Sequence, residues 1–249
     1  MNAPTSLWSN VQHPPPLAME HVHVCAWNLD RSPDASDWKI LDQEEVARAR
    51  RFVFPRDRDR YVCAHATVRR VLGGYLKIPS AEIRLSASAY GKPALLQASN
   101  PEALQFNLSH SAGIAVLAIS RSYQLGIDIE CIRDIDPDVA DHHFSPHELF
   151  TLRNLAAEDW LAGFYRCWTS KEALLKGEGL GLNLPLDSFD VEVDPLRSPA
   201  LLASRSLSNL ASDWRLVALQ PTRETIGTLA VRNHDQLASD AVQCFFLNG

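Results

Sequence analysis

The sequence predicts an α+β fold in which each half of the chain combines one long helix with several strands. Apolar residues recur at helical spacing in two long segments, near 61–77 and 158–176, and short apolar or alternating runs of strand length surround both. The chain has 249 residues, 46% of them hydrophobic, which is enough to bury a substantial core. Because no composition break marks a flexible linker, we expect two closely packed subdomains, 21–120 and 121–249.

The N-terminal half begins with a segment, 1–20, that contains three consecutive prolines and no apolar period, which predicts a mobile arm. Alternation over 22–26 predicts a strand, and 42–52 is typical of a short helix. Pro79 ends the first long helix. Short strands with turn residues between them follow, at 83–87, 114–119 and 125–131, with a turn at Tyr90–Pro93.

The C-terminal half opens with Ser145, Pro146 and Glu148, which have the spacing of an N-cap, a first helical residue and a capping box. The second long helix follows, and a glycine-rich segment closes it at Gly177, Gly179 and Gly181. We expect the remaining chain to form strands, at 189–193, 214–219, 225–231 and 242–247.

Composition excludes several classes of protein. The five cysteines are scattered without a CxxC pair, which argues against disulfides or structural zinc and favours a reducing cytoplasm. No leader pattern and no apolar run of roughly 18 residues is present, so we expect neither export nor a membrane span. The net charge of −6 argues against nucleic-acid binding. An arginine-rich stretch, however, suits one small polyanion as well as it suits a solvated helix face: Arg48, Arg50, Arg51, Arg56, Arg58, Arg60, Arg69 and Arg70.

Two carboxylates, Asp128 and Glu130, stand two residues apart in the apolar run Gly126–Glu130. Strand periodicity puts both on one face. Adjacent carboxylates repel each other, and all-oxygen ligation suits Mg²⁺, so the pair indicates a candidate metal site. By itself such a pair is more typical of a half-exposed strand that turns polar residues outward.

A third carboxylate lies on the second long helix. Trp168, Glu172 and Lys176 share one stripe at i, i+4 and i+8, which aligns a carboxylate with a lysine. A surface ion pair between Glu172 and Lys176 is the alternative interpretation.

A polar cluster, Asn107–Ser111, ends one predicted strand. Ser109 and His110 are neighbours in an extended segment and therefore point to opposite faces, which disfavours a serine hydrolase. Both residues are better suited as donors to a phosphate, and a turn that hydrogen-bonds to itself is the alternative.

In this order and at this spacing, Asn107–Ser111, Gly126–Glu130 and Trp168–Ala173 resemble the signature of the phosphopantetheinyl transferases, in particular the longer, single-chain Sfp-like class. The resemblance covers about residues 45 to 190. Further matching segments are Arg50–Phe52 with Arg60, Tyr90–Pro93, Gly179–Leu182 and Leu186–Phe189.

This resemblance implies two similar α+β halves related by a pseudo-twofold axis, with coenzyme A in the cleft between them. Asp128, Glu130 and Glu172 match the family's magnesium ligands, and Glu172 also matches the residue proposed to deprotonate the acceptor serine. Lys176 matches the residue that assists departure of 3′,5′-ADP, and Lys171 is expected to steady the phosphates. The implied partner is an apo acyl- or peptidyl-carrier protein. A chain with both halves of the cleft is expected to act as a monomer.

The resemblance also implies residues that hold coenzyme A. Ser109, His110, Lys92 and Arg60 match positions around its pyrophosphate and 3′-phosphoadenosine end, and we expect Arg48 to join them. One departure stands out, because Glu45 occupies a position where related enzymes often have a basic residue.

Two other functions suit parts of the pattern. A metal-dependent nuclease also uses carboxylates and a lysine, but the acidic balance and the absence of an E-x-K close after Glu130 speak against it. A protein that binds coenzyme A without turnover is disfavoured by the intact set of Asp128, Glu130, Glu172 and Lys176.

Overall fold

A computed structural model describes residues 8–87, 91–96, 100, 103–179, 184–205, 213–232, 237–238 and 240–248. Tyr90 of the predicted turn and Gly181 of the predicted helix-closing segment lie outside these residues. The helices are α1 (Ala35–Ile40), α2 (Gln43–Ala49), α3 (Pro55–Leu76), α4 (Asp138–His143), α5 (Pro146–Arg153) and α6 (Ala157–Glu178). In the described part of the chain, no helix has the length and apolar content needed to cross a membrane.

The strands form two main sheets and two short hairpins. The strands are β1 (Trp8–Val11), β2 (Val22–Asn28), β3 (Leu85–Ala87), β4 (Pro93–Leu95), β5 (Gln105–Ser111), β6 (Ile114–Ser120), β7 (Leu125–Cys131), β8 (Phe189–Val191), β9 (Leu201–Ser204), β10 (Trp214–Leu219), β11 (Thr225–Arg232) and β12 (Val242–Leu247). The first sheet has the order β1-β12-β2-β6-β5 and the second has the order β10-β11-β7. The α+β prediction is confirmed.

Two strands cross the predicted subdomain boundaries. β1 lies within the predicted mobile arm, yet it pairs in parallel with β12. β12 lies within the predicted C-terminal subdomain, yet it inserts between β1 and β2 of the first sheet. β1 and β12 therefore extend the first sheet beyond β2. The residue pattern of either segment alone does not predict this pairing. The division at residue 120 stays a prediction.

The two long helices, α3 and α6, each have 22 residues, and each packs on one of the two main sheets. α3 begins with Pro55 at its first turn and ends at Lys77, which adopts the left-handed conformation. It packs on the first sheet through Val68 and Leu72, whereas α6 packs on β7 and β11. A further apolar cluster joins the sheets, with Val24 and Val116 from the first and Ile127 and Leu229 from the second.

Candidate active site

The candidate site lies where β5, β7 and α6 meet. β7 carries Asp128 and Glu130, and α6 crosses it closely because Gly126 has no side chain. A Cβ at Gly126 would lie 2.1 Å from the carbonyl oxygen of Ala173 and 2.2 Å from the nitrogen of Gly177. The glycine of the Gly126–Glu130 motif thus permits the helix to bring its polar stripe to the strand carboxylates.

Lys176 and Asp128 form the centre of the site. Lys176 Nζ lies 2.6 Å from Asp128 Oδ1 and donates to Ser109 Oγ at 3.0 Å, and Ser109 Oγ donates to the same Asp128 oxygen at 2.9 Å. Asp128 is only 4% exposed, and its other oxygen, Oδ2, is buried without a hydrogen-bond partner in the described part of the chain. A buried carboxylate oxygen without a partner is costly and calls for a further positive charge.

Glu130 and Glu172 are half-buried beside Asp128. Burial is the main cause that raises the pKa of all three carboxyls above their ordinary values. The charge of Asp128 raises the pKa of Glu130 and Glu172 further, while Lys176 opposes the rise in each case. The charges of Lys176, and of Arg133 near Glu130, therefore do not offset the rise of the pKa in this acidic cluster.

These residues fit a divalent ion. The donors are carboxylate oxygens, the ligand type that Mg²⁺ prefers, and Asp128 Oδ2 is an unsatisfied acceptor among them. Across the described ranges, no three His, Cys, Asp or Glu side chains are already grouped around one ion position. Ligation by Asp128, Glu130 and Glu172 together stays a prediction.

His110 and Arg48 lie beside the carboxylates. His110 lies on the opposite face of β5 from Ser109, and partial burial of its ring followed by the charges of Lys176 and His65 lowers its pKa. The exposed Arg48 lies with its guanidinium carbon 5.6 Å from the centre of the Tyr61 ring. Arg48 and His110 are close enough to influence one another electrostatically, which suits the binding of a polyanion.

Two other predicted phosphate ligands have contacts within the protein. Lys92 Nζ donates to the carbonyl oxygens of Leu125 at 3.0 Å and Gly177 at 3.1 Å, so it ties the N-terminal half to β7 and α6. Burial lowers the pKa of Lys92 to about 8. Arg60 Nε donates to Asp30 Oδ1 at 2.6 Å. Contacts of Lys92 and Arg60 with phosphate stay predictions.

Lys171, which the resemblance leads us to expect at the phosphates, lies inside the fold, and its role at the phosphates stays a prediction. Its side chain is fully buried and donates to the carbonyl oxygens of Leu186 at 2.5 Å and Phe189 at 2.7 Å, and it lies 2.8 Å from Glu148 Oε1. These three contacts occupy the three ammonium protons. Lys171 is one residue from Glu172 and thus faces a different side of α6, where it anchors the helix to α5 and β8.

Glu45 also serves the structure. It accepts from the backbone nitrogen of Asp42 in a capping box and pairs with Arg69 at 2.7 Å and His65 at 2.9 Å. These contacts hold the pKa of Glu45 below its ordinary value against the opposing effect of burial. The departure noted in the sequence is therefore a buried anchor between α2 and α3.

Comparisons with known proteins identify the family of the chain. Residues 124–231 match the family model of the 4′-phosphopantetheinyl transferase superfamily, and 26–122 match the model of an N-terminal region of 4′-phosphopantetheinyl transferases. The chain is 33% identical to the 4′-phosphopantetheinyl transferase HetI of Nostoc sp., over 88% of this chain and 91% of the relative. It is 35% identical to the 4′-phosphopantetheinyl transferase Sfp of Bacillus subtilis, over 62% and 67% of the two chains.

A human relative, the L-aminoadipate-semialdehyde dehydrogenase-phosphopantetheinyl transferase, is 33% identical over 66% of this chain and 58% of its own length. The chain belongs to the 4′-phosphopantetheinyl transferase superfamily, in its Sfp-like class. It is an enzyme that transfers phosphopantetheine.

Proposed function

We propose that the enzyme transfers the 4′-phosphopantetheine arm of coenzyme A to a serine of an apo acyl- or peptidyl-carrier protein and releases 3′,5′-ADP, in a Mg²⁺-dependent reaction. The observation that carries the proposal is the acidic cluster at α6 and β7. There Asp128 Oδ2 is buried without a partner in the described structure, and one lysine faces three carboxylates.

Asp128, Glu130 and Glu172 would hold the magnesium ion. When bound, Mg²⁺ would neutralise the charge of the pyrophosphate that bears the pantetheine arm. The electrostatics of the site favour this assignment. Burial raises the pKa of all three carboxyls, the charge of Asp128 raises it further for Glu130 and Glu172, and a bound cation would offset both effects.

The chain's own residues then divide the work of phosphoryl transfer. The serine oxygen of the carrier forms a bond to the phosphorus that bears pantetheine, and the bond from that phosphorus to the oxygen of 3′,5′-ADP breaks. Glu172 is the candidate acceptor of the serine proton, because its half-buried carboxylate is accessible to an acceptor hydroxyl, whereas Asp128 is only 4% exposed. Lys176, at the end of the same helical stripe, is positioned to stabilise the departing phosphate charge.

Arg48 as a cation and His110 as a hydrogen-bonding group would orient coenzyme A. Arg48 and His110 lie together near Lys176 and suit the phosphates of the nucleotide end. Ser109 is less free to act as a phosphate donor, because its single hydroxyl proton is directed at Asp128. Its proposed contact with the pyrophosphate requires that hydrogen bond to change on binding. We propose that the enzyme acts in the cytoplasm and as a monomer.

The test is to incubate the protein with coenzyme A, Mg²⁺ and an apo-carrier protein and to measure the carrier's mass. We expect a gain of one phosphopantetheine that disappears with a chelator and returns when Mg²⁺ is restored. Glu172→Gln keeps the size of the side chain and removes its basicity, so it is the matched variant and should leave the carrier unmodified. An unchanged mass across fatty-acid, polyketide and peptide carriers with the unsubstituted protein would refute the proposal.

A further inference from the structure

β5 and β7 are joined by side chains. They belong to different sheets, and β7 pairs through its backbone with β11 on one edge. On its other edge, the backbone nitrogens of Ile127, Ile129 and Cys131 point towards β5, as alternate residues of a strand do. Side-chain oxygens accept all three, so these backbone donors of β7 are satisfied without a backbone ladder to β5.

The side chains involved are Asn107, Ser109 and Ser111. Ile127 N donates to Asn107 Oδ1 at 2.8 Å, Ile129 N to Ser109 Oγ at 3.4 Å, and Cys131 N to Ser111 Oγ at 3.0 Å. The offset is 20 residues in all three bonds, so the strands run in the same direction in a single register. We call this row of three hydrogen bonds the β5–β7 seam.

Each serine of the seam also donates a hydrogen bond, in both cases to a carboxylate of β7. Ser109 accepts from Ile129 N and donates to the carboxylate of the preceding residue, Asp128, at 2.9 Å. Ser111 accepts from Cys131 N and donates to the carboxylate of the preceding residue, Glu130, at 2.6 Å. A Ser-x-Ser pair on one strand thus holds an Asp-x-Glu pair on the other.

We infer that Ser111 is a positioning residue that orients Glu130 for metal binding, through a hydroxyl that the Cys131 backbone fixes in place. The inference rests on the proposed role of Glu130 as a magnesium ligand. Glu130 is half-exposed and has several rotatable bonds, so without the short bond from Ser111 its carboxylate would sample other directions. Partners that orient metal ligands typically change metal affinity when removed.

The experiment measures Mn²⁺ binding directly, from the loss of the free-ion electron paramagnetic resonance signal in the presence of coenzyme A. We expect Ser111→Ala to weaken Mn²⁺ binding by about 10- to 100-fold. Ser111→Thr keeps the hydroxyl, so its Mn²⁺ affinity should stay within about threefold of that of the unsubstituted protein. If Ser111→Ala does not fold, Ser111→Cys carries the same prediction, because a thiol is a weak donor.

Ser120→Ala is the matched control. Ser120 is buried, and its hydroxyl accepts from the backbone nitrogens of Ser122 at 3.2 Å and Tyr123 at 3.1 Å, while it donates to the carbonyl oxygen of His21 at 3.4 Å and not to a carboxylate of the described residues. We expect Ser120→Ala to lower the unfolding temperature while Mn²⁺ binding stays unchanged. An equal loss of Mn²⁺ affinity in Ser120→Ala and Ser111→Ala would show that general destabilisation is responsible and would overturn the inference.

Glu130→Gln separates failure of this inference from failure of the proposed function. If Glu130→Gln loses Mn²⁺ binding and Ser111→Ala keeps it, the metal assignment stands and the positioning role of Ser111 is wrong. If Glu130→Gln itself binds Mn²⁺ normally, Glu130 is not a ligand, and both claims about this carboxylate are refuted.

Discussion

Gly126→Ala tests how closely α6 must lie on β7. The added Cβ would lie 2.1 Å from the carbonyl oxygen of Ala173 and 2.2 Å from the nitrogen of Gly177. Both are backbone atoms, so no side chain can rotate away, and helix and strand must separate by about 1.4 Å or more to reach ordinary contact distances. Overpacking of this kind costs about 3 kcal/mol. Since α6 carries Glu172 and Lys176, the displacement should also lower the rate of transfer.

The assay for this prediction is equilibrium unfolding in urea, with Gly74→Ala as the matched control. Gly74 lies in α3 with nothing within 4 Å of an added Cβ, so alanine there should stabilise the protein by about 1 kcal/mol through helix propensity. The two glycine substitutions should therefore shift the urea midpoint in opposite directions. A Gly126→Ala protein that unfolds at the same urea concentration as the unsubstituted chain would refute the close approach of α6 to β7.

Three further predictions follow. Lys171→Met leaves the buried carboxylate of Glu148 without its cation, with the backbone nitrogens of Ser145 and Val191 still donating to it, and should cost about 3 to 5 kcal/mol of stability in urea unfolding; a normal urea midpoint with a raised KM for coenzyme A would instead place Lys171 at the substrate. Burial lowers the pKa of His23 to about 4, so the neutral ring contributes to the free energy of unfolding. This contribution is complete above about pH 6.5 and should be lost as the pH falls towards 4. The loss approaches about 3 kcal/mol, and His23→Gln should flatten this part of the pH–stability curve unless another group causes it. Lys176→Met should lower kcat by about 10²- to 10⁴-fold while the protein stays folded by circular dichroism, and a kcat close to normal would remove Lys176 from the chemistry.

Local periodicity predicted much of the fold and the centre of the site. The period-two spacing of Asp128 and Glu130 and the i, i+4 spacing of Glu172 and Lys176 each depend on one element, and each could be interpreted from the sequence. Gly126 allows β7 and α6 to lie close together. This role depends on contacts with Ala173 and Gly177, which are distant in sequence. α1 was missed, although Asp34 and Asp37 form a capping box at its start.

The sequence failed where a side chain's partner is distant. Lys171 belonged to a matching motif, but its burial against Glu148 depends on how α5 packs on α6. The insertion of β12 between β1 and β2 depends on strands at opposite ends of the chain. Asn107 and Ser111 belong to the motif Asn107–Ser111, but the sequence assigns them no role. The polar residues at every second position of β5 are nevertheless a signal that this side of the strand forms side-chain hydrogen bonds.

The most direct test of the metal site is the anomalous scattering of Mn²⁺ in crystals grown with coenzyme A. We predict one peak in coordination contact with carboxylate oxygens of Asp128, Glu130 and Glu172 and with the pyrophosphate of coenzyme A. A peak bound to the pyrophosphate without any of these three carboxylates, or a peak elsewhere on the protein, would contradict the account.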